Sequence, residues 1–190
     1  MADKPSISII VPCYNEAGNI DGTVESIKSA LESSARFGEY EIIIFNDRST
    51  DKTGEVIDSI AEREASVRTV HNKRNMGFGY NYTEGVRLAV MEYIMMVPGD
   101  NEIPTEAITR AFVQTGHADL VIPYTANTWV RPWSRRFVSR AFVILMNSLF
   151  GLRLRYYNGT CVFKAAELKN LELKTWGFAS LIFWVNASSL

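Results

Sequence analysis

Apolar and polar positions follow two rhythms along the chain. Short runs rich in β-branched residues, at 6–11, 41–45, 67–70, 93–97 and 120–122, read as strands. Between them, residues 19–33, 53–64, 78–90 and 105–115 place their apolar positions at the spacing of amphipathic helices. Strand and helix in alternation predict βαβ units. The expected fold class is therefore α/β, with a Rossmann-like, mostly parallel sheet and helices on both faces. Start signals support two of the helices: Asp51 and Thr53 precede the second, and Pro104, Thr105 and Glu106 open the fourth.

Beyond residue 122 the character changes. The stretch "PYTANTWVRPWSRR" at 123–136 reads as a surface loop feeding an apolar helix over 137–150 whose N-terminal end is basic. No repeat, low-complexity tract or Gly/Ser/Pro-rich linker interrupts the chain, so one domain over 1–190 is expected. The chain ends on the apolar "LIFWVNASSL", and it is expected to be cut short at that end.

Composition narrows the class of function. The 190 residues are 47% apolar and 22% charged, ordinary for a globular domain. A formal net charge of −1 gives no long-range field for nucleic acid, so nucleic acid is not an expected partner and any anion-binding surface must be local. Two cysteines, Cys13 and Cys161, are too few for a disulfide framework, and no signal-peptide pattern opens the chain. The expected location is cytoplasmic. The longest apolar stretches, 141–152 and 178–190, fall short of the roughly 20 residues that span a bilayer.

In open parallel sheets ligands bind at the carboxyl ends of the strands. The segments there read "PCYNE", "NDRSTDKT", "HNKRNMGFG" and "PGDNE". None is a Gly-x-Gly-x-x-Gly turn after the first strand, and there is no Gly-Lys-Ser/Thr P-loop, so dinucleotide and NTPase chemistry lose support. What these segments hold is Glu16, Asp47, Asp100 and Glu102, with Lys73 and Arg74 nearby. Paired carboxylates suit hard divalent cations, and Mg2+ or Mn2+ binds through one or two carboxylates plus substrate phosphates. Each acid also has a plain reading as a turn or helix-start residue, Asp47 and the Asp100–Glu102 pair included. His71 and His117 lack metal-ligand spacing and are expected to be ordinary surface or strand-end residues, and Cys13 has no paired base.

Taken in order, "SIIVPCYNEAGNI", "EIIIFNDRSTDKT", "NMGFGYNYTEGVRLA" and "YIMMVPGDNEIP" resemble the motifs of family 2 glycosyltransferases with the GT-A fold. The later stretch "RRFVSRAFVILMNSLFGLRLRYYNGTCVFKAAEL" is similar to the subgroup of dolichol-phosphate mannose synthases and related polyprenyl-phosphate sugar transferases. The resemblance implies a nucleotide-sugar-binding part at 1–122 and an acceptor-side part at 123–190. It implies that Pro12, Tyr14 and Glu16 line the nucleotide pocket, that Asp47 contacts the base, and that Asn75 and Gly77 approach the nucleotide. Asn46 stands where the family often has a further Asp. Asp100 and Glu102 match the family's D-x-D motif and would be the catalytic metal ligands, with Glu102 one methylene longer than the usual Asp.

The reaction so implied is an inverting transfer of a sugar from a UDP- or GDP-sugar, with Mg2+ or Mn2+ as cofactor. A hydroxyl acceptor needs a general base, yet no carboxylate follows Glu172. Three explanations stay open: a base beyond residue 190, an inactive protein, or a polyprenyl-phosphate acceptor that is already anionic, since a phosphate monoester has its second pKa near ~6. Arg131, Arg135, Arg136 and Arg140 are the candidate contacts to that acceptor at a membrane surface; they could equally solvate a helix end. Two other classes compete. A sugar nucleotidyltransferase needs a Gly-rich basic loop that "PCYNE" lacks, whereas a non-catalytic nucleotide-binding or scaffolding domain would fit Asn46, Glu102 and the missing base.

Overall fold

The computed structural model describes residues 4–118, 120–123, 133–151, 153 and 160–170. Strands β1 (Ser6–Cys13), β2 (Glu39–Asn46), β3 (Val67–His71) and β4 (Tyr93–Met96) alternate with helices α1 (Ile20–Ser34), α2 (Thr53–Arg63), α3 (Phe78–Leu88) and α4 (Thr105–Gln114). Then come β5 (Leu120–Val121), α5 (Trp133–Phe150), β6 (Val162–Lys164) and α6 (Ala165–Lys169). They form a six-stranded sheet in the order β3-β2-β1-β4-β6-β5. The pairs β1–β2, β1–β4 and β2–β3 are parallel, and β6 runs antiparallel to both of its neighbours.

The two-residue period of the strands sorts their side chains onto two faces. Ile7, Ile9, Val11, Ile42 and Ile44 meet the apolar stripes of α1, α2 and α4 on one face. Ile10, Ile43, Phe45 and Ile94 meet Tyr82 and Val86 of α3 and Ala165 and Leu168 of α6 on the other. Both faces being covered explains why the inner strands β1, β2 and β4 are largely apolar. Gly85 lets α3 sit close, since a Cβ there would lie 2.6 Å from Ile10 Cγ2. Near the amino ends of the strands, Ser8 Oγ donates to the buried Glu41 (2.6 Å), which also accepts from Val90 N–H (2.8 Å) and Arg68 Nε (2.9 Å). That knot closes the turn from α3 into β4.

Two expectations need correction. The basic-ended helix begins at Trp133, not at 137, so residues 133–136 of the expected loop are its first turn. The strand β6 and helix α6 are absent from the sequence reading, because "VFK" is three residues long and becomes a strand only by pairing with β4 and β5. The remaining elements lie where the hydrophobic rhythm puts them, with ends shifted by one or two residues.

Candidate functional site

Strands β1 to β4 all end on one edge, at Cys13, Asn46, His71 and Met96, and chain order reverses between β1 and β4. The segments leaving these ends are tied to one another by side chains. Asn15, in the left-handed region at φ 59°, is one of the residue types that tolerate it. Its Oδ1 accepts from Thr50 N–H (2.8 Å), and its own N–H donates to Ser49 Oγ (3.0 Å). Glu16 N–H donates to Thr53 Oγ1 (2.8 Å), and Ala17 N–H to Asp51 Oδ2 (3.2 Å). The Thr53 hydroxyl, with the N–H groups of Thr53 and Ala17, holds the Asp51 carboxyl below the usual carboxylate range. Asp51 therefore binds Thr53, the first residue of α2, and it also fastens the loop after β1.

Asp47 organises the third segment. It is 4% exposed, and its N–H donates to Cys13 O (2.9 Å). Its carboxylate accepts from Met76 N–H (2.7 Å), Gly77 N–H (2.8 Å) and Asn72 Nδ2 (2.8 Å). Asn72 reaches on to Asn81 Oδ1 (2.6 Å) in α3. A buried carboxylate needs such donors, and here they shape the turn into α3. Gly77 has φ 83° with its N–H turned toward Asp47, a conformation that favours glycine. The side chain that the resemblance assigns to the base thus holds the loop carrying Asn75 and Gly77. Asn75 is exposed, Tyr14 is 47% exposed, and Pro12 is buried with its carbonyl accepting from Gly99 N–H (3.0 Å).

The acidic turn lies on the other side of β1. Val97 and Gly99 extend the parallel ladder past β4 by donating to Ile10 O and Pro12 O. A Cβ on Gly99 would meet Cys13 Cβ at 2.8 Å, so only glycine lets this segment pass so close. Asn101, at φ 55°, turns its amide onto α1, where Gly22 makes room and Ser26 Oγ donates to it (3.4 Å). Asp100 Oδ1 accepts from Glu102 N–H (3.1 Å). Asp100 is half-buried, Glu102 is exposed, and the second Asp100 oxygen has no partner among the described residues. Asp47 and Gly99 bond to adjacent residues of β1, so their backbones stand two strand spacings apart, about 10 Å.

Among the described residues no three His, Cys, Asp or Glu side chains converge as a ready metal cage. Asp100 and Glu102 offer hard oxygen donors and no more than two side chains. Such a set fits Mg2+ or Mn2+ when phosphate oxygens and water fill the remaining positions. Cys13 takes no part: its thiol donates to Phe45 O (3.0 Å), and burial, with Glu16, Asp51 and Asp47 around it, pushes its pKa up to about 12.

Of the four arginines expected at the acceptor, Arg131 lies outside the described residues, and Arg135 is in α5. Arg136 and Arg140 are exposed on that helix. Its inner face packs Phe142, Val143 and Met146 around Cys161, while Trp133, Phe137, Val138, Ile144, Leu145 and Leu149 are each more than half exposed. The sequence reading missed Asn15, Ser49, Asn72 and Asn101 as site residues. All four are ordinary turn types, and only the fold shows that Asn15, Ser49 and Asn72 join different strand ends and that Asn101 anchors its turn to α1.

Comparison with known proteins gives four findings. The Glycosyl transferase family 2 model matches residues 8–164. An uncharacterized glycosyltransferase of Bacillus subtilis is 32% identical over 106 residues, 56% of this chain and 29% of that protein. An undecaprenyl-phosphate mannosyltransferase of Micrococcus luteus is 26% identical over 185 residues, 89% of this chain and 72% of that protein. The glucosyl-3-phosphoglycerate synthase of Mycobacterium tuberculosis, solved with Mn2+, UDP and glucosyl-3-phosphoglycerate, superposes with a TM-score of 0.68 at 18% identity, covering 97% of this chain and 66% of that one. That likeness shows the GT-A fold.

Proposed function

The chain belongs to glycosyl transferase family 2, and from that premise we propose that it performs an inverting transfer of a sugar from a UDP- or GDP-sugar to a polyprenyl-phosphate acceptor. One observation carries the donor half: two loops rooted in β2 and β4 are bonded to adjacent residues of β1, one organised by Asp47 and the other bearing Asp100 and Glu102. Asp47 fixes Met76 and Gly77, so the backbone beside the nucleotide is set before it arrives, which lowers the ordering cost of binding. Tyr14 and Glu16 form the facing wall, held by Ser49, Thr50 and Thr53. Asp100 and Glu102 would hold Mg2+ or Mn2+ against the diphosphate. When bound, the ion neutralises charge growing on the departing diphosphate.

The acceptor half draws its support from charge. Residues 120–166 contain six arginines, one lysine and no acid, in a chain of net charge −1. On α5, Arg136 and Arg140 accompany the exposed apolar side chains, the pattern of a helix that lies on an anionic lipid surface. An acceptor phosphate needs no base to become a nucleophile near neutral pH. No described helix is long and apolar enough to cross a membrane. The association proposed for α5 is peripheral, at the cytoplasmic face.

Titration of the purified chain with UDP- and GDP-sugars in the presence of Mn2+ tests the donor reading, and saturable heat with one of them is the expected result. Incubation of that donor with polyprenyl phosphate in anionic vesicles tests the rest. A lipid-linked sugar is expected. Nucleotide binding without transfer would leave a non-catalytic nucleotide-binding domain, and no binding of either nucleotide would overturn the proposal.

A further inference from the structure

Resting on the donor-pocket reading above, we propose that His71 is a positioning residue for that pocket: it holds Asn46 in the one amide orientation that pins the loop after β2. Asn46 Oδ1 accepts from Ser49 N–H at 2.9 Å. That contact identifies the oxygen end of the amide, so Nδ2 is the end facing His71 Nδ1 at 3.2 Å. A ring nitrogen that accepts carries no proton, which puts the proton of the neutral imidazole on Nε2, the atom 2.9 Å from Asp58 Oδ1. From Asp58 through His71 and Asn46 to Ser49, each donor meets an acceptor.

The chain of bonds continues into the pocket wall. Ser49 Oγ accepts from Asn15 N–H, between Tyr14 and Glu16. Asn46 O accepts from Asn72 N–H (2.9 Å), and Asn72 is the residue whose side chain bridges Asp47 and Asn81. Through Asn46, one histidine on an edge strand is therefore linked to the loop after β2 and to the segment after β3 that carries Asn72. The pair is closely roofed: a Cβ on Gly54 would come within 3.0 Å of Asn46 Nδ2 and 3.7 Å of the His71 ring. Asn46 replaces the acid expected here, and the substitution is matched to its partner. A carboxylate would require a proton on His71 Nδ1, whereas an amide nitrogen requires that atom bare.

Removing the ring takes away the acceptor for Nδ2, and the amide can then turn. Once turned, it presents N–H to Ser49 N–H, and the pin is lost. His71 lies on the edge strand and its side chain is 42% exposed, so its removal should leave the fold intact.

The test compares His71→Ala, His71→Asn, Asn46→Ala and the double variant His71→Ala/Asn46→Ala. Each is titrated with UDP and GDP in the presence of Mn2+, and its Ser49 and Asn15 amides are followed by hydrogen exchange. An Asn side chain at 71 places an oxygen near the position of Nδ1. The expected result is nucleotide affinity about three- to tenfold weaker in His71→Ala and Asn46→Ala, no further loss in the double variant, and recovery in His71→Asn. The two amides should exchange faster in the alanine variants and remain protected in His71→Asn. Unchanged affinity and exchange in His71→Ala, equal losses in the Ala and Asn variants, or additive losses would each overturn the proposal. If the unaltered chain binds neither nucleotide, the donor reading falls and the pocket role of His71 falls with it, while hydrogen exchange still decides whether His71 pins the loop.

Discussion

Asp47 is a buried carboxylate whose three donors belong to residues 25 to 30 positions later in the chain. As an acid at a strand end it is legible in the sequence; as the organiser of the next loop it is not, since those contacts exist only once β2 and β3 are paired. Asp47→Ala would leave the Met76 and Gly77 N–H groups without their acceptor. The expected cost is about 2–4 kcal/mol in denaturant unfolding, together with loss of nucleotide binding by calorimetry. The cysteines give a second prediction. Burial raises both thiols from 9.0 to about 12, so the folded state holds their protons more tightly than the unfolded chain. Their contribution is therefore complete below pH 9 and is lost as pH rises from 9 toward 12. Thiol titration at pH 8 should find both unreactive in the native protein and both reactive after denaturation.

At the scale of elements, the strands are legible because each is built on a short run of apolar and β-branched residues, and the first four helices because their apolar positions repeat on one face. The order of strands and the pairing of β6 are settled by tertiary packing that the local pattern does not encode. The acidic turn shows the same division. "PGDNE" announces two carboxylates, but not that Asn101 anchors the turn to α1 or that Gly99 passes Cys13 with no space for a Cβ. Gly99→Ala should force the turn away from β1, costing about 1–3 kcal/mol of stability and weakening metal-dependent nucleotide binding. Thermal unfolding and titration with UDP or GDP plus Mn2+ would check both parts. A variant as stable and as tight-binding as the original would show that the turn can shift freely.

Across the whole molecule the two ends of the sheet are built for different tasks. At the amino ends of the strands, Glu41, Ser8 and Arg68 satisfy one another and close a turn, which is structural work. At the carboxyl ends, the loops are held by one another while Asp100 and Glu102 keep oxygens without partners among the described residues. The fold gathers Tyr14, Glu16, Asp47, Gly77 and Asp100 at neighbouring strand ends, as their places after the apolar runs predict; that the Asp47 carboxylate turns inward to Met76 and Gly77 is not written in the local sequence. Charge is divided as well, with the acid-free segment confined to residues 120–166. The function proposed for this edge is to clamp a nucleotide diphosphate through a divalent ion held by Asp100. The most direct test is calorimetric titration of the chain and of Asp100→Ala with the favoured nucleotide, each with Mn2+ and with a chelator. Chelation is expected to weaken binding to the unaltered chain by at least about tenfold, near 1.4 kcal/mol, and Asp100→Ala to bind as weakly with Mn2+ as without. Equal affinity with and without the ion, or a Mn2+ response that survives Asp100→Ala, would contradict it.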